Sequence, residues 1–221
     1  MKKINNYKSF LNQINNQKYF LMKIYATLIL QILIAFAVLQ YSSKINLINN
    51  KFQFYGIIIF MFIIIFILPF IDNKLIKLLF VSMFSICVGL LLSFTLDQNN
   101  PDIVEIEKKA FKTTIIIFIY TVLFGFFLSF MGLKLNPYIG ITLFFALLLL
   151  IIGMFFASLT NIYSTNYKIF SSIAIFLFTC FIIYDTMNIL ERRYNNNFVS
   201  ASFDYFLDIY NLFLNFMNLD Q

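Results

Sequence analysis

Seven uninterrupted apolar runs, each about 20 residues long, constrain this chain more than any other feature of its sequence. They cover 24–41, 54–71, 75–96, 110–131, 138–160, 167–190 and 202–219. At 1.5 Å of rise per residue, such a run crosses a hydrocarbon layer about 30 Å thick as one α-helix. Ile and Phe favour strands in water, but open sheet edges do not survive in lipid, so the runs must be helices. A membrane β-barrel needs segments of about 10 residues with alternating polarity, and these runs do not alternate. The expected fold is therefore an all-α integral membrane protein, a seven-helix transmembrane bundle.

Composition closes the other route. Charged residues make up 12% of 221 positions and hydrophobic residues 61%. A soluble domain carries about 25% charged residues, which keep its surface in water. The net charge of +6 could suggest nucleic acid, but the lysines and arginines stand singly or in pairs at the ends of the apolar runs. That placement anchors helices and sets topology, and nucleic acid is not an expected partner.

The N-terminal residues 1–20 are polar and rich in Asn and Lys, with no short apolar core ahead of the first run. They read as a cytosolic lead-in rather than a cleaved signal, leaving 21–221 as a single seven-span domain. Short breaks separate the runs: Asn49-Asn50-Lys51, Asp72-Asn73-Lys74, Asp97 through Asp102, and Asn136-Pro137. Neighbouring helices must then be antiparallel. Lys2, Lys3, Lys8, Lys18 and Lys23 precede or open the first run, which orients the N-terminus inward. The last run carries Asp204 and Asp208, and can re-enter rather than cross.

Chemistry has few candidate carriers. The chain contains no His, and Cys87 and Cys180 both lie inside apolar runs, so packing is their expected role and no resident cofactor is expected. No nucleotide-binding glycine loop and no Ser/His or Cys/His pair appears, and no enzymatic activity is expected. Gly89, Gly125, Gly132, Gly140 and Gly153 read as close-packing positions.

Most of the acids, Asp72, Asp97, Asp102, Glu105 and Glu107 among them, read as loop residues. Asp185 and Asp208 do not. An acid inside a span is costly and points to function. A short loop joins the sixth and seventh runs, so the two carboxylates can meet at similar depth. Desolvation and like-charge repulsion then prevent both from ionising cheaply, and the pair shares a proton near neutrality. Such a pair is a proton-sensitive latch, or equally a station on a cation path. The plainer reading ties each acid to a Lys, Tyr or Asn at a helix interface. Asn188 and Asn211 flank the acids by one turn and can orient them, while Asp204 can simply reach the headgroups.

Three stretches resemble one family. Lys23-Ile24-Tyr25 with Gln31-Ile32-Leu33 is similar to the first-span pattern of the Bax inhibitor family, the transmembrane Bax inhibitor motif proteins. Ile183-Tyr184-Asp185-Thr186 resembles its sixth-span Tyr-Asp-Thr signature. Phe206-Leu207-Asp208-Ile209-Tyr210-Asn211-Leu212-Phe213 resembles its last-helix signature.

The resemblance implies a bundle with the C-terminal helix central. It also implies a pH-sensitive calcium leak latched by Asp185 and Asp208, with calcium as the permeant ion in transient contact with both. Tyr184, Thr186, Asn188, Asp204 and Asn211 would support the pair. Partners would be the lipid bilayer, protons and other membrane proteins. The membrane would be endoplasmic reticulum or Golgi in a eukaryotic or viral setting, and the inner membrane in a bacterium. Family members can carry an Arg in the second span beside the aspartates. The second run here has no charge, so this pair should hold its proton to higher pH. A non-conducting regulator of partner membrane proteins and a proton-coupled transporter remain open alternatives.

Overall fold

The computed structural model describes residues 2–45, 47–48, 50–95, 100–134, 136, 138–159 and 162–220; side chains are described from residue 10 onward, except 11, 158 and 162–166. The turn residues Asn49, Asp97, Asn99 and Pro137, and the side chains of Lys2, Lys3 and Lys8, lie outside the described residues.

Seven α-helices follow one another: α1 (Lys2–Ile45), α2 (Lys51–Ile67), α3 (Lys74–Thr95), α4 (Pro101–Phe130), α5 (Tyr138–Leu159), α6 (Ile162–Leu190) and α7 (Phe198–Asp220). No strand occurs among the described residues. The first six helices are long and apolar enough to cross a membrane. The architecture is consistent with a helical membrane bundle. α7 carries three acids, Asp204, Asp208 and Asp220, and is not among those six. Even so, no residue of α7 between 198 and 219 is exposed.

Asparagine starts the helices. Oδ1 of Asn50 accepts from the Gln53 amide at 2.8 Å, and that of Asn73 from the Leu75 amide at 2.9 Å. Asn100, Asn136 and Asn197 accept in the same way from Asp102, Tyr138 and Ser200. Each side chain satisfies an amide that the first helical turn leaves without a partner, and each cap is worth about 1 kcal/mol.

With Asn100 as cap and Pro101 in its first turn, α4 begins nine residues before the apolar run does. Asp102, Glu105 and Glu107 are therefore helical rather than loop residues, which corrects the sequence expectation. The polar lead-in is helical too, and continuous with the first span. At the other end, Pro69 sits in a 3-10 turn, Leu68–Phe70, that finishes α2.

Contacts divide the chain into two compact units. Unit one comprises Met1–Tyr19, Ile106–Asn195 and Leu207–Gln221; unit two comprises Phe20–Glu105 and Asn196–Phe206. In unit two, Ile24, Leu28, Ala35 and Leu39 of α1 are buried, as are Val81, Phe84 and Val88 of α3. Phe84 stands edge-on to Phe203 at 5.0 Å. Gly89 lets α3 approach α1 so closely that a Cβ would overlap the Ala35 carbonyl and stand 2.8 Å from Val38 Cβ.

In unit one α5 packs along α6. The lead-in reaches the ends of two helices: Phe10 meets Phe130 at 5.5 Å, and Gln13 and Gln17 both donate to the carbonyl of Leu190. The C-terminal ends of α4 and α6 therefore lie at the same end of unit one, and the two helices run parallel.

The glycines divide by role. Gly89, Gly125 and Gly140 are close-approach sites. Two expectations fail. Gly153 meets only ordinary contact, with Phe170 at 3.7 Å, and Gly132 sits at φ 78° in the turn after α4.

Candidate functional site

Unit one holds both aspartates. Asp185 is 8% exposed near the end of α6, and Asp208 is 6% exposed on α7. The sequence around Asp185 explains its placement. Thr186 returns its hydroxyl to the Ile182 carbonyl at 2.7 Å, which removes that polar group from the interface. Thr186 can then lie against Gly125 of α4, where a Cβ would stand 2.8 Å from its Cβ and Cγ2. Tyr184, on another face, lies over Gly140 of α5, where any side chain would overlap its hydroxyl. Two glycines thus hold the Tyr-Asp-Thr segment between α4 and α5.

The end of α6 is a tight cap. The Arg193 amide donates to the Asn188 carbonyl at 3.0 Å and the Arg192 amide to the Ile189 carbonyl at 3.1 Å, the paired bonds of a Schellman motif. Arg192 takes the left-handed position at φ 60°, where glycine is usual. The end of α4 uses the same pair of bonds, from Leu133 to Leu128 and from Gly132 to Ser129, with glycine in place. The turn after α6 brings Tyr194 back, and its hydroxyl donates to Asp185 Oδ1 at 3.2 Å.

Helix α4 serves as a ruler for depth, because α6 runs parallel to it and α7 antiparallel. Thr186 meets Gly125, so Asp185 is level with residue 124 of α4. On α7, Asp220 pairs with Lys109 at 2.8 Å and Phe213 meets Phe111 at 6.5 Å. Counting back to Asp208 from these contacts gives a level between residues 116 and 121 of α4. The two carboxylates therefore differ in depth by about 5 to 12 Å.

The supporting residues separate. Thr186 and Asn188 are buried in unit one beside Asp185. Asn211 is also in unit one, but its amide donates to the Leu207 carbonyl of its own helix at 2.8 Å. Asp204 is half-buried and belongs to unit two. There it lies within electrostatic reach of Lys77, a buried lysine of α3 whose Nζ donates to Ser200 Oγ at 3.1 Å. Among the described residues, no three His, Cys, Asp or Glu side chains gather to hold a metal ion.

Sequence reasoning missed three residues. Lys77 reads as a charge at the end of an apolar run and Glu107 as a loop residue, yet both are buried. The only sequence signal for Glu107 is its seven-residue spacing from Thr114 and Thr121. Tyr194 had no signal beyond its nine-residue distance from Asp185.

The family model described as inhibitor of apoptosis-promoting Bax1 matches residues 17–219, nearly the whole chain. The chain belongs to the Bax inhibitor family. Within this family it is similar to Protein LIFEGUARD 2 of Arabidopsis thaliana, 24% identical over 213 residues, covering 90% of this chain and 86% of that one. Protein LIFEGUARD 3 of the same plant is 26% identical over 204 residues, covering 88% and 81%. Protein LIFEGUARD 4 is 28% identical over 142 residues, covering 64% and 54%. The family match extends over the helices that carry both aspartates, so Asp185 and Asp208 lie within the region shared with other members of the Bax inhibitor family.

Proposed function

We propose that this Bax inhibitor family member is a pH-sensitive calcium leak with Asp185 and Asp208 as its latch, and that it restrains cell death by adjusting ion balance. The observation that carries the reading is the burial of two carboxylates in one unit, on α6 and α7. Acids in a membrane interior are expensive and are kept for ion or proton traffic. The family description, inhibitor of apoptosis-promoting Bax1, supports the cell-death part. That no residue of α7 between 198 and 219 is exposed supports reading it as an interior helix.

The mechanism follows from charge. At low pH the pair holds a proton, which removes the repulsion between the carboxylates and lets α6 and α7 stay together. As pH rises the proton leaves, and two like charges in a poorly solvated site repel each other. The helices part, and the freed oxygens offer a passing cation a stop of opposite charge. Calcium is cargo in this scheme and not a resident ion.

The test is calcium entry into dye-loaded proteoliposomes between about pH 5 and 8. Wild type is expected to leak more as pH rises. Asp185→Asn and Asp208→Asn should each flatten that dependence, because an amide cannot release a proton. Folded, inserted protein that conducts no better than empty vesicles would sink the leak and leave a non-conducting regulator of other membrane proteins.

A further inference from the structure

We propose that the buried face of α4 in unit one lines a hydrated cation route, with Glu107 receiving the ion at the end away from Asp185. The inference extends the leak reading and rests on it for the nature of the ion.

Glu107, Thr114 and Thr121 repeat every seven residues and so share one face of α4. All three are buried, together with Ala110, Phe118, Val122 and Gly125. The opposite face exposes Ile116, Ile119, Leu123 and Phe127. Glu107, Thr114 and Thr121 thus point into the protein, while the far face of the span is apolar. From Glu107 to Gly125, where α4 touches Thr186, the stripe is about 27 Å long at 1.5 Å per residue. That nearly spans a hydrocarbon core of about 30 Å.

The hydroxyls give the second observation. In a membrane helix a Ser or Thr normally returns its proton to the carbonyl four residues back, as Ser85, Thr142, Ser172, Thr179 and Thr186 do here. Thr114 and, on α6, Ser171 do not. Both are 0% exposed, and neither hydroxyl oxygen has a partner in the protein. A buried polar group without a protein partner calls for water or an ion.

The two also lie close in depth. Counting back fifteen residues along both helices from the Thr186–Gly125 contact sets Ser171 level with Ala110, between Glu107 and Thr114. Asp208 falls level with 116–121 and Asp185 with 124. The sequence of oxygens is therefore Glu107, Ser171, Thr114, Thr121 with Asp208, then Asp185. Each step is about 5 to 10 Å, which hydrated side chains can bridge.

Two experiments on the full-length protein decide the proposal. In proteoliposomes, Glu107→Gln should lower calcium entry about tenfold, while Glu107→Asp retains most of it. The second experiment does not depend on flux. In a Cys87→Ala/Cys180→Ala background, Thr114→Cys and Ser171→Cys are treated with a charged, membrane-impermeant methanethiosulfonate. Only a thiolate in contact with water reacts, so both should be modified at least about tenfold faster than lipid-facing Leu123→Cys. Thiols as inert as the control would overturn the hydrated route whether or not wild type conducts. Reactive thiols beside a silent wild type would retain the hydrated face and dismiss the leak. Wild-type conduction with an unaffected Glu107→Gln would remove Glu107 from the route.

Discussion

Gly125 and Thr186 touch where α4 meets α6, with only 2.8 Å between a would-be Cβ and the threonine's Cβ and Cγ2. The contact lies one residue from Asp185, so the small residue sets where that carboxylate sits. Thr186 is held by its bond to Ile182 and cannot swing away cheaply. Gly125→Ala is expected to destabilise the protein by about 1–3 kcal/mol through overpacking, and to disturb the pH response of the leak. Gly153→Ala is the control. Its Cβ would make only ordinary contact with Phe170, and the helix gains up to about 1 kcal/mol in propensity. Thermal denaturation in detergent should move in opposite directions for the two variants.

Tyr194 reaches Asp185 from the turn after α6. A neutral hydroxyl that donates to a carboxylate favours its ionised form. Tyr194→Phe removes the donor. Under the latch mechanism the pH profile of calcium flux should change, with its onset moved upward. A flux profile superimposable on wild type would disconnect Tyr194 from the latch.

Arg192 occupies a left-handed position that a Cβ disfavours by about 1–2 kcal/mol, and its side chain is exposed. Arg192→Gly should relieve much of that strain and raise stability by about 0.5–1 kcal/mol, with the Schellman bonds unchanged. Gly132→Ala, at the equivalent position of α4, should lower it by a similar amount. Unfolding midpoints of the two variants test both signs.

Lys77 is a buried cation whose ammonium contacts Ser200 and lies within reach of Asp204. Lys77→Met keeps the stem and removes the charge. The expected loss is about 1–3 kcal/mol, below the figure of about 3–5 for a fully buried pair because Asp204 is half-buried. Combining it with Asp204→Asn should cost less than the sum of the single changes, and a double-mutant cycle measures the difference. Strict additivity would show that the two charges do not interact.

Element types were easy to read and element ends were not. The runs at 75–96 and 138–160 agree with α3 and α5 to within a residue, because helix extent there coincides with apolar extent. At α1, α4 and α6 the helix outruns the apolar stretch by 5 to 22 residues at the N-terminal end. Polar residues at a membrane face can stay helical once a cap or a neighbour satisfies the backbone. Asn100 supplies the cap at α4, while Gln13, Gln17 and Phe10 tie the start of α1 to the ends of α6 and α4. Five asparagines in the breaks between runs serve as helix caps.

The sequence by itself determined the class of protein, the family and the two aspartates within apolar runs. Those follow from local properties: run length against membrane thickness, the scarcity of polar surface, and short signatures along one helix. Only the tertiary structure decided which faces are interior. Helices that are apolar all round offer no polar contrast to separate lipid-facing from protein-facing sides. Whether Lys77 or Gln17 is buried depends on partners brought in from far along the chain: Lys77 meets Ser200 across 123 residues, and Gln17 meets Leu190 across 173. Such contacts leave no periodic trace in the sequence, because in lipid they form through close packing and interhelical hydrogen bonds rather than through the exclusion of water.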